Sequence, residues 1–135
     1  MTTEELIAIV DEAEKSSLRV SAHAHSDEGA KRALLAGVHS IEHGTFLSEQ
    51  TLKTMKLRKV FYDPTFSFWT EAGKGPLFQE NSLLAKRVQT YPLDVKRATA
   101  FGYMIGVQIV GGADITYNVP GISIGNEAIN LVDAG

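Results

Sequence analysis

The chain contains four histidines, His23, His25, His39 and His43, and all of them fall between residues 20 and 45, in the phrases AHAHSD and VHSIEHGT. Imidazole is a borderline ligand that suits zinc and its neighbours, and it exchanges protons near neutral pH. Asp114 ends the run GVQIVGGAD. A carboxylate added to two imidazoles makes a set able to hold a divalent ion with one position open for water. The sequence has no cysteine, so disulfides and thiolate metal sites are excluded, and His, Asp and Glu are the ligand types left. Each of these groups also has a plainer reading. His-x-His taken alone is equally compatible with interface or loop histidines, as is His43 by itself. Gly-Ala-Asp after a strand is a common turn and helix-capping device.

Groups scattered over ninety positions act together only if the elements between them bring them to one end of a sheet. Thr2 followed by Glu5 is a capping box, and Leu6, Ile7, Val10 and Ala13 then mark one face of a helix. LRVSAH reads as a strand from Leu18 to about His23. Ser26 and Asp27 can cap the helix EGAKRALLA, whose Ala30, Ala33 and Leu34 face inward and which Gly37 ends. VHSIEH reads as a second strand. A third helix, LSEQTLKTMKLRK, is capped by Ser48 and has Leu52, Met55 and Leu57 as its apolar group. VFYDPT is a strand closed by Pro64. Beyond it come a loop-like TEAGKGP, a helical pattern from Leu77 to about Phe101, the apolar run GVQIVGGAD and a last helix beginning in NEAINLVDAG. Helix and strand alternate throughout. With about four strands read as apolar on both faces, the expectation is an α/β fold of about four parallel β/α units in a single domain, 1–135. Functional groups in such folds sit at the C-terminal ends of the strands, where His23, His25, His43 and Asp114 all fall.

Composition narrows the partners. Of 135 residues 44% are hydrophobic, enough for a core, and 13 basic against 16 acidic side chains give a net charge of −3. Neither sign forms a block, so no nucleic-acid or anionic-membrane partner is expected, and a small molecule or a protein is. The N-terminus is acidic and amphipathic, unlike a secretory signal. The longest uncharged run, residues 98–113, is shorter than the ~20 apolar residues of a membrane span. These features together lead to the expectation of a cytoplasmic protein.

HAHSDEGAKRALLAGVHSIEHGTFL closely resembles the strand-five to strand-six segment of the amidohydrolase superfamily, in the branch of imidazolonepropionase-like enzymes and metal-dependent dipeptidases. The resemblance extends upstream through TEELIAIVDEAEKSSLRVSAHAH, to VFYDPT as strand seven and to GVQIVGGADIT as the end of strand eight, and it is looser from 66 to 104. It implies a metal-dependent hydrolase of C–N bonds acting on small cyclic amides or dipeptides, with zinc as the expected divalent metal. By the same resemblance His23 is the strand-five ligand and His43 the strand-six ligand. Asp114 is the strand-eight aspartate, touching metal and moving the proton between attacking water and leaving amine. His25 and Tyr117 are the candidates for substrate contact. For His25 a supporting or merely solvated role stays open, and for Tyr117 and its neighbour Asn118 so does an ordinary surface loop. His39 is assigned to the outer surface of its strand.

The resemblance also implies absences. The family's strand-one His-x-His and strand-four lysine have no counterpart here, and Gly-Ala-Asp stands where Gly-Thr-Asp is commoner. A whole (β/α)8 barrel takes ~250 residues, so the chain is expected to be strands five to eight of a TIM-like barrel, a partial barrel. The isolated chain is then expected to have little or no activity. Its two open edges and an inward face expected to be apolar would make it a homo-oligomer or the partner of a complementary barrel half. The competing expectation is a non-catalytic half-barrel that binds metal weakly or not at all.

Overall fold

The computed structural model describes residues 1–72, 86, 89–115 and 121–135. The first helix, α1 (Thr3–Lys15), starts where the capping box puts it: Thr2 accepts from the Glu5 N–H and the Glu5 side chain accepts from the Thr2 N–H. Its buried face is narrower than the sequence suggested. Val10 is buried, but Ile7 is 41% exposed, because α1 lies at the edge of the helix layer and touches chiefly one neighbour, α2 (Asp27–Ala36). Ser26 caps α2 and Gly37 ends it in the left-handed conformation at φ 93°. Ser48 caps α3 (Glu49–Arg58). Thr51, Leu52 and Met55 of α3 are buried, whereas Leu57 is 82% exposed and does not belong to the apolar group. Its position in the last turn carries it round to the solvent side.

Three parallel strands, β1 (Ser21–Ala24), β2 (Ser40–His43) and β3 (Phe61–Asp63), pair in chain order among the described residues. The register sets His23 opposite Glu42, Ala24 opposite His43, and Glu42 opposite Asp63. β1 begins at Ser21, three residues later than expected, because Ser17 turns the chain at φ 56° and Leu18 is left exposed. His39 sits just below β2. Its N–H donates to Val20 O, its carbonyl accepts from the Phe61 N–H, and its Nδ1 accepts from the Val20 N–H, so it stitches the three strand starts together rather than lying free on an outer surface. The expected fourth strand is reduced to one parallel bridge between Tyr62 and Ile109, in which the Tyr62 N–H donates to Gln108 O and the Val110 N–H to Tyr62 O, each at 2.9 Å. Gly111 and Gly112 follow immediately and take the chain out of the ladder.

The strands are not apolar on both faces. Ala22, Ala24, Ile41 and Tyr62 turn toward α2, α3 and the helix α5 (Tyr91–Ile105), where Ala30, Ala33, Leu34, Leu52, Met55 and Ala98 complete the core. Fully burying side chains such as Leu34 and Met55 contributes about 1.5–3 kcal/mol each. The alternate residues, Ser21, His23, Ser40, Glu42, Phe61 and Asp63, form the other face. That face is therefore polar, which overturns the apolar inward surface expected from the sequence. α5 starts at Tyr91, with Pro92 in its first turn, and runs to Ile105. Most of the helical pattern assigned upstream of it lies outside the described residues, as does GKGP of the loop reading, while Thr70, Glu71 and Ala72 belong to α4 (Phe66–Ala72).

Two side chains tie the helix starts. Asp27 accepts from the Ser48 N–H at 2.8 Å and from Thr51 Oγ1, and it pairs with Lys31 at 2.7 Å, so one carboxylate joins the first turns of α2 and α3. Partial burial pushes its pKa up, but these hydrogen bonds more than offset that and hold it below the usual carboxylate range. Glu127, on the last helix α6 (Ile124–Ala134), is fully buried and accepts from the N–H groups of Phe66 (2.9 Å) and Ser67 (2.5 Å) at the start of α4.

Glu127→Ala strands two buried donors at about 1–3 kcal/mol each. The expected result is a fall of roughly 2–5 kcal/mol in urea unfolding stability with the m-value unchanged, and a loss under about 1 kcal/mol would show that other acceptors serve those N–H groups. The depressed Asp27 pKa predicts stability that is present above about pH 4 and lost as pH falls below it. Melting points of the parent chain and Asp27→Asn are expected to differ near neutrality and to converge in acid. A constant gap from pH 6 to pH 2 would contradict the linkage.

Candidate functional site

The C-terminal rim of the sheet gathers three of the four histidines. His23 belongs to β1, His25 follows it by two, and His43 ends β2. Strict alternation would send His43 the way of Ile41, but His43 (φ 69°) and Gly44 (φ 47°) both take left-handed backbone, which breaks the pleat there. The ring of His43 packs 4.4 Å from that of His23 and 5.0 Å from that of His25, and the His23 and His25 rings are 4.6 Å apart. A non-glycine residue held in this conformation costs of order 1–3 kcal/mol, so the rim retains an imidazole at a position where glycine would be easier.

Threonines orient two of the rings. His25 Nδ1 meets Thr45 Oγ1 at 3.0 Å and His43 Nδ1 meets Thr65 Oγ1 at 2.8 Å, which leaves Nε2 of each ring outside those bonds. Burial, and then the neighbouring His43 and His23, push the His25 pKa down to about 4 against the opposing pull of Asp114. Burial and His23 lower that of His43, with Asp114 and Glu42 opposing. Both are therefore neutral imidazoles near pH 7, the form that binds metal. Asp114 (φ 43°) lies on the exposed rim, near enough for its charge to act on both rings.

Below the rings the polar face carries a carboxyl pair. Ser40 donates to Glu42 Oε1 at 2.8 Å, and Ser21 donates to the same oxygen. Glu42 meets Asp63, whose pKa is pushed up to about 6 by burial and then by Glu42. Asp63 Oδ1 accepts from the N–H groups of Gly112 (2.9 Å) and Thr65 (3.3 Å). On the other side of His25 stands an aromatic wall: Trp69 lies 5.4 Å from His25 and 4.8 Å from Tyr91, and Tyr91 lies 5.0 Å from Phe46.

Of the residues singled out from sequence, His23, His25 and His43 are in ring contact and Asp114 shares their rim, while Tyr117 and Asn118 lie outside the described residues. Thr45, Thr65, Glu42, Asp63 and Trp69 were not anticipated. The available signal was the spacing of HGT and DPT, which sets a hydroxyl two residues after a strand-end His or Asp. The donor types suit a borderline divalent cation. Among the described residues, however, no group of three or more His, Asp or Glu side chains is arranged to hold one.

The parallel α/β layer is shared with a group of solved enzymes. It superposes on a Xaa-Pro dipeptidase with bound methionine at TM-score 0.84 (31% identity, 100% of this chain, 34% of that one). Aspergillus niger ochratoxinase superposes at TM-score 0.85 (28% identity, 100% and 30%) and a putative prolidase from Bifidobacterium longum at 0.83 (28%, 99% and 35%). The chain belongs to the amidohydrolase family, whose profile matches residues 1–97. In sequence it is 39% identical to Aspergillus niger ochratoxinase over 64 residues, 47% of this chain and 13% of the relative. The chain thus spans about a third of the length of these solved relatives. Among the described residues no helix is long and apolar enough to cross a membrane.

A Cβ at Gly44 would come within 2.6 Å of the Tyr62 ring and 2.7 Å of Leu47, on top of the strain of its positive φ. Gly44→Ala is therefore expected to lower stability by about 2 kcal/mol or more and to displace the His43 ring resonances in NMR spectra. An unchanged melting point with unmoved His43 resonances would mean that the rim tolerates the added methyl.

Proposed function

We propose that this chain is the ligand-bearing part of a metal-dependent amidohydrolase that cleaves C–N bonds in small cyclic amides or dipeptides. The observation that carries the reading is the contact of His23 and His43 at the ends of adjacent parallel strands, with His43 Nδ1 tied to a threonine and its Nε2 left outside that bond, in a chain of the amidohydrolase family. His23 and His43 are the residues that hold the divalent ion, with zinc the best match to imidazole ligands. When bound, such an ion supplies Lewis acidity and lowers the pKa of a coordinated water. Asp114, on the same rim, would take a proton from the attacking water and return it to the leaving amine. Thr45 and Thr65 hold the tilt of the His25 and His43 rings through Nδ1. His25 and Tyr117 contact substrate, and the Trp69–Tyr91 wall bounds the pocket on an apolar side.

The same reading makes the chain a partial (β/α)8 barrel. Among the described residues β1 pairs only with β2, and the polar face of Ser21, His23, Ser40, Glu42 and Asp63 calls for polar partners. A second copy or a complementary barrel half would supply them in a cytoplasmic setting. A second reading, a non-catalytic half-barrel with weak metal binding, is favoured by the lack of a three-ligand arrangement among the described residues.

Titration of the chain with Co2+, watching the visible ligand-field bands, and with Zn2+ by calorimetry separates the two readings. The expected result is one site, weakened at least tenfold by His23→Ala and by His43→Ala, with dipeptide hydrolysis slow or undetectable until the remaining ligands are supplied. With them supplied, Asp114→Asn is expected to lower kcat by about 10²–10⁴. Tight binding that ignores both histidine substitutions would refute the ligand assignment.

A further inference from the structure

We propose that Asp63, at the end of β3, is the positioning residue that holds His43 and Asp114 in one constellation. The inference rests on the reading of those two side chains as the working groups of the rim. Asp63 touches neither of them directly and acts through the chain on either side of it.

Toward β2, Asp63 Oδ1 accepts from the N–H of Thr65 at 3.3 Å, and the Thr65 hydroxyl meets His43 Nδ1 at 2.8 Å. Toward the other neighbour, the same oxygen accepts from the N–H of Gly112 at 2.9 Å, two residues before Asp114. One carboxyl oxygen therefore stands two hydrogen bonds from the imidazole, with Thr65 between them, and one hydrogen bond and two peptide units from the second carboxylate. The two segments it grips are the ones that need gripping. Thr65 and Asp114 hold left-handed backbone at φ 45° and φ 43°, and non-glycine residues persist there only where their surroundings over-determine them.

Gly112 gives the arrangement a second, independent mark. A Cβ built at this position would overlap the Asp63 carboxyl group itself, so the turn approaches Asp63 as closely as bare backbone can. Behind Asp63 stands Glu42, held in turn by the hydroxyls of Ser21 and Ser40. The carboxyl is thus braced from β1 and β2 while it holds the segments after β3 and before Asp114. A chain that needed only to end a strand would not require a side chain of this kind in that place, since Pro64 already ends the ladder.

The test uses the full chain, metal-free, with 15N-labelled histidine and backbone. Asp63→Asn keeps an oxygen that can accept from Thr65 and Gly112, and Asp63→Ala does not. Asp63→Ala is expected to shift the His43 ring nitrogens toward those of an unpartnered imidazole and to remove the downfield position of the Gly112 amide, with Asp63→Asn close to the parent on both. Co2+ affinity is expected to fall roughly 10- to 100-fold in Asp63→Ala and to recover to within about threefold of the parent in Asp63→Asn, while Asp63→Leu, of comparable bulk but without an acceptor, stays as weak as Asp63→Ala, which a merely bulk-filling role would not give. Gly112→Ala provides the second variant should Asp63→Ala not fold. Its methyl displaces Asp63 and is expected to move the His43 ring resonances, although residue 112 does not contact His43. Unmoved His43 resonances in both Gly112→Ala and Asp63→Ala would overturn the proposal, as would an Asp63→Asn chain as perturbed as Asp63→Ala. A parent chain that binds no Co2+ would instead overturn the metal reading, and the metal-free ring resonances would still decide the role of Asp63.

Discussion

Glu42 and Asp63 face each other across adjacent parallel strands, and two carboxylates this close cannot both stay ionised without help. The help comes from every neighbouring element. Ser21 and Ser40 donate to Glu42, and backbone N–H groups of Thr65 and Gly112 donate to Asp63. Because the donors belong to β1, β2, the turn after β3 and the turn before Asp114, satisfying this one pair also brings those four segments to a common rim. The histidines lie on top of that layer. Their placement follows from the register that pairs His23 with Glu42 and Glu42 with Asp63.

The starts of α1, α2 and α3 were legible almost to the residue, whereas α4 was not anticipated. Thr2 with Glu5, Ser26, Gly37 and Ser48 are local devices, read from two to four consecutive positions, and each does in the structure what its chemistry predicts. The strands were legible as elements but not as surfaces. Ser21-Ala-His-Ala24 and Ser40-Ile-Glu-His43 alternate visibly, yet the expectation that parallel strands are apolar on both sides overrode a period of two that was present in the letters. Glu127 gave no sign at all. It sits in an ordinary amphipathic helix, and its partners, Phe66 and Ser67, are sixty residues away.

The candidate site was legible in its histidines, which the fold brings into ring contact, and not in what orients them. His23, His25 and His43 stood out because imidazole is scarce in this chain. Thr45 and Thr65 did not, because threonine is common and its role here depends on a strand register that only the folded sheet supplies. Asp63 was read as part of a strand closed by proline, which is true and incomplete. Its second role appears only when Gly112, forty-nine residues on, comes close enough to donate. The reading of Leu57 as core failed for the opposite reason, since hydrophobic character alone does not say which side of a helix end a residue occupies.

The sheet order is the chain order, with each strand laid beside its predecessor after about twenty residues. Strands β1, β2 and β3 can pair in turn as the polypeptide emerges from the ribosome, with contacts of modest sequence separation to close at each step. Glu127 is the exception. The N-terminal amides of α4 find their acceptor only when the last helix arrives, sixty residues later. A nascent chain therefore holds its histidine rim early and its α4 corner late. The Trp69 wall, which α4 carries, is the part of the candidate site that waits for α6.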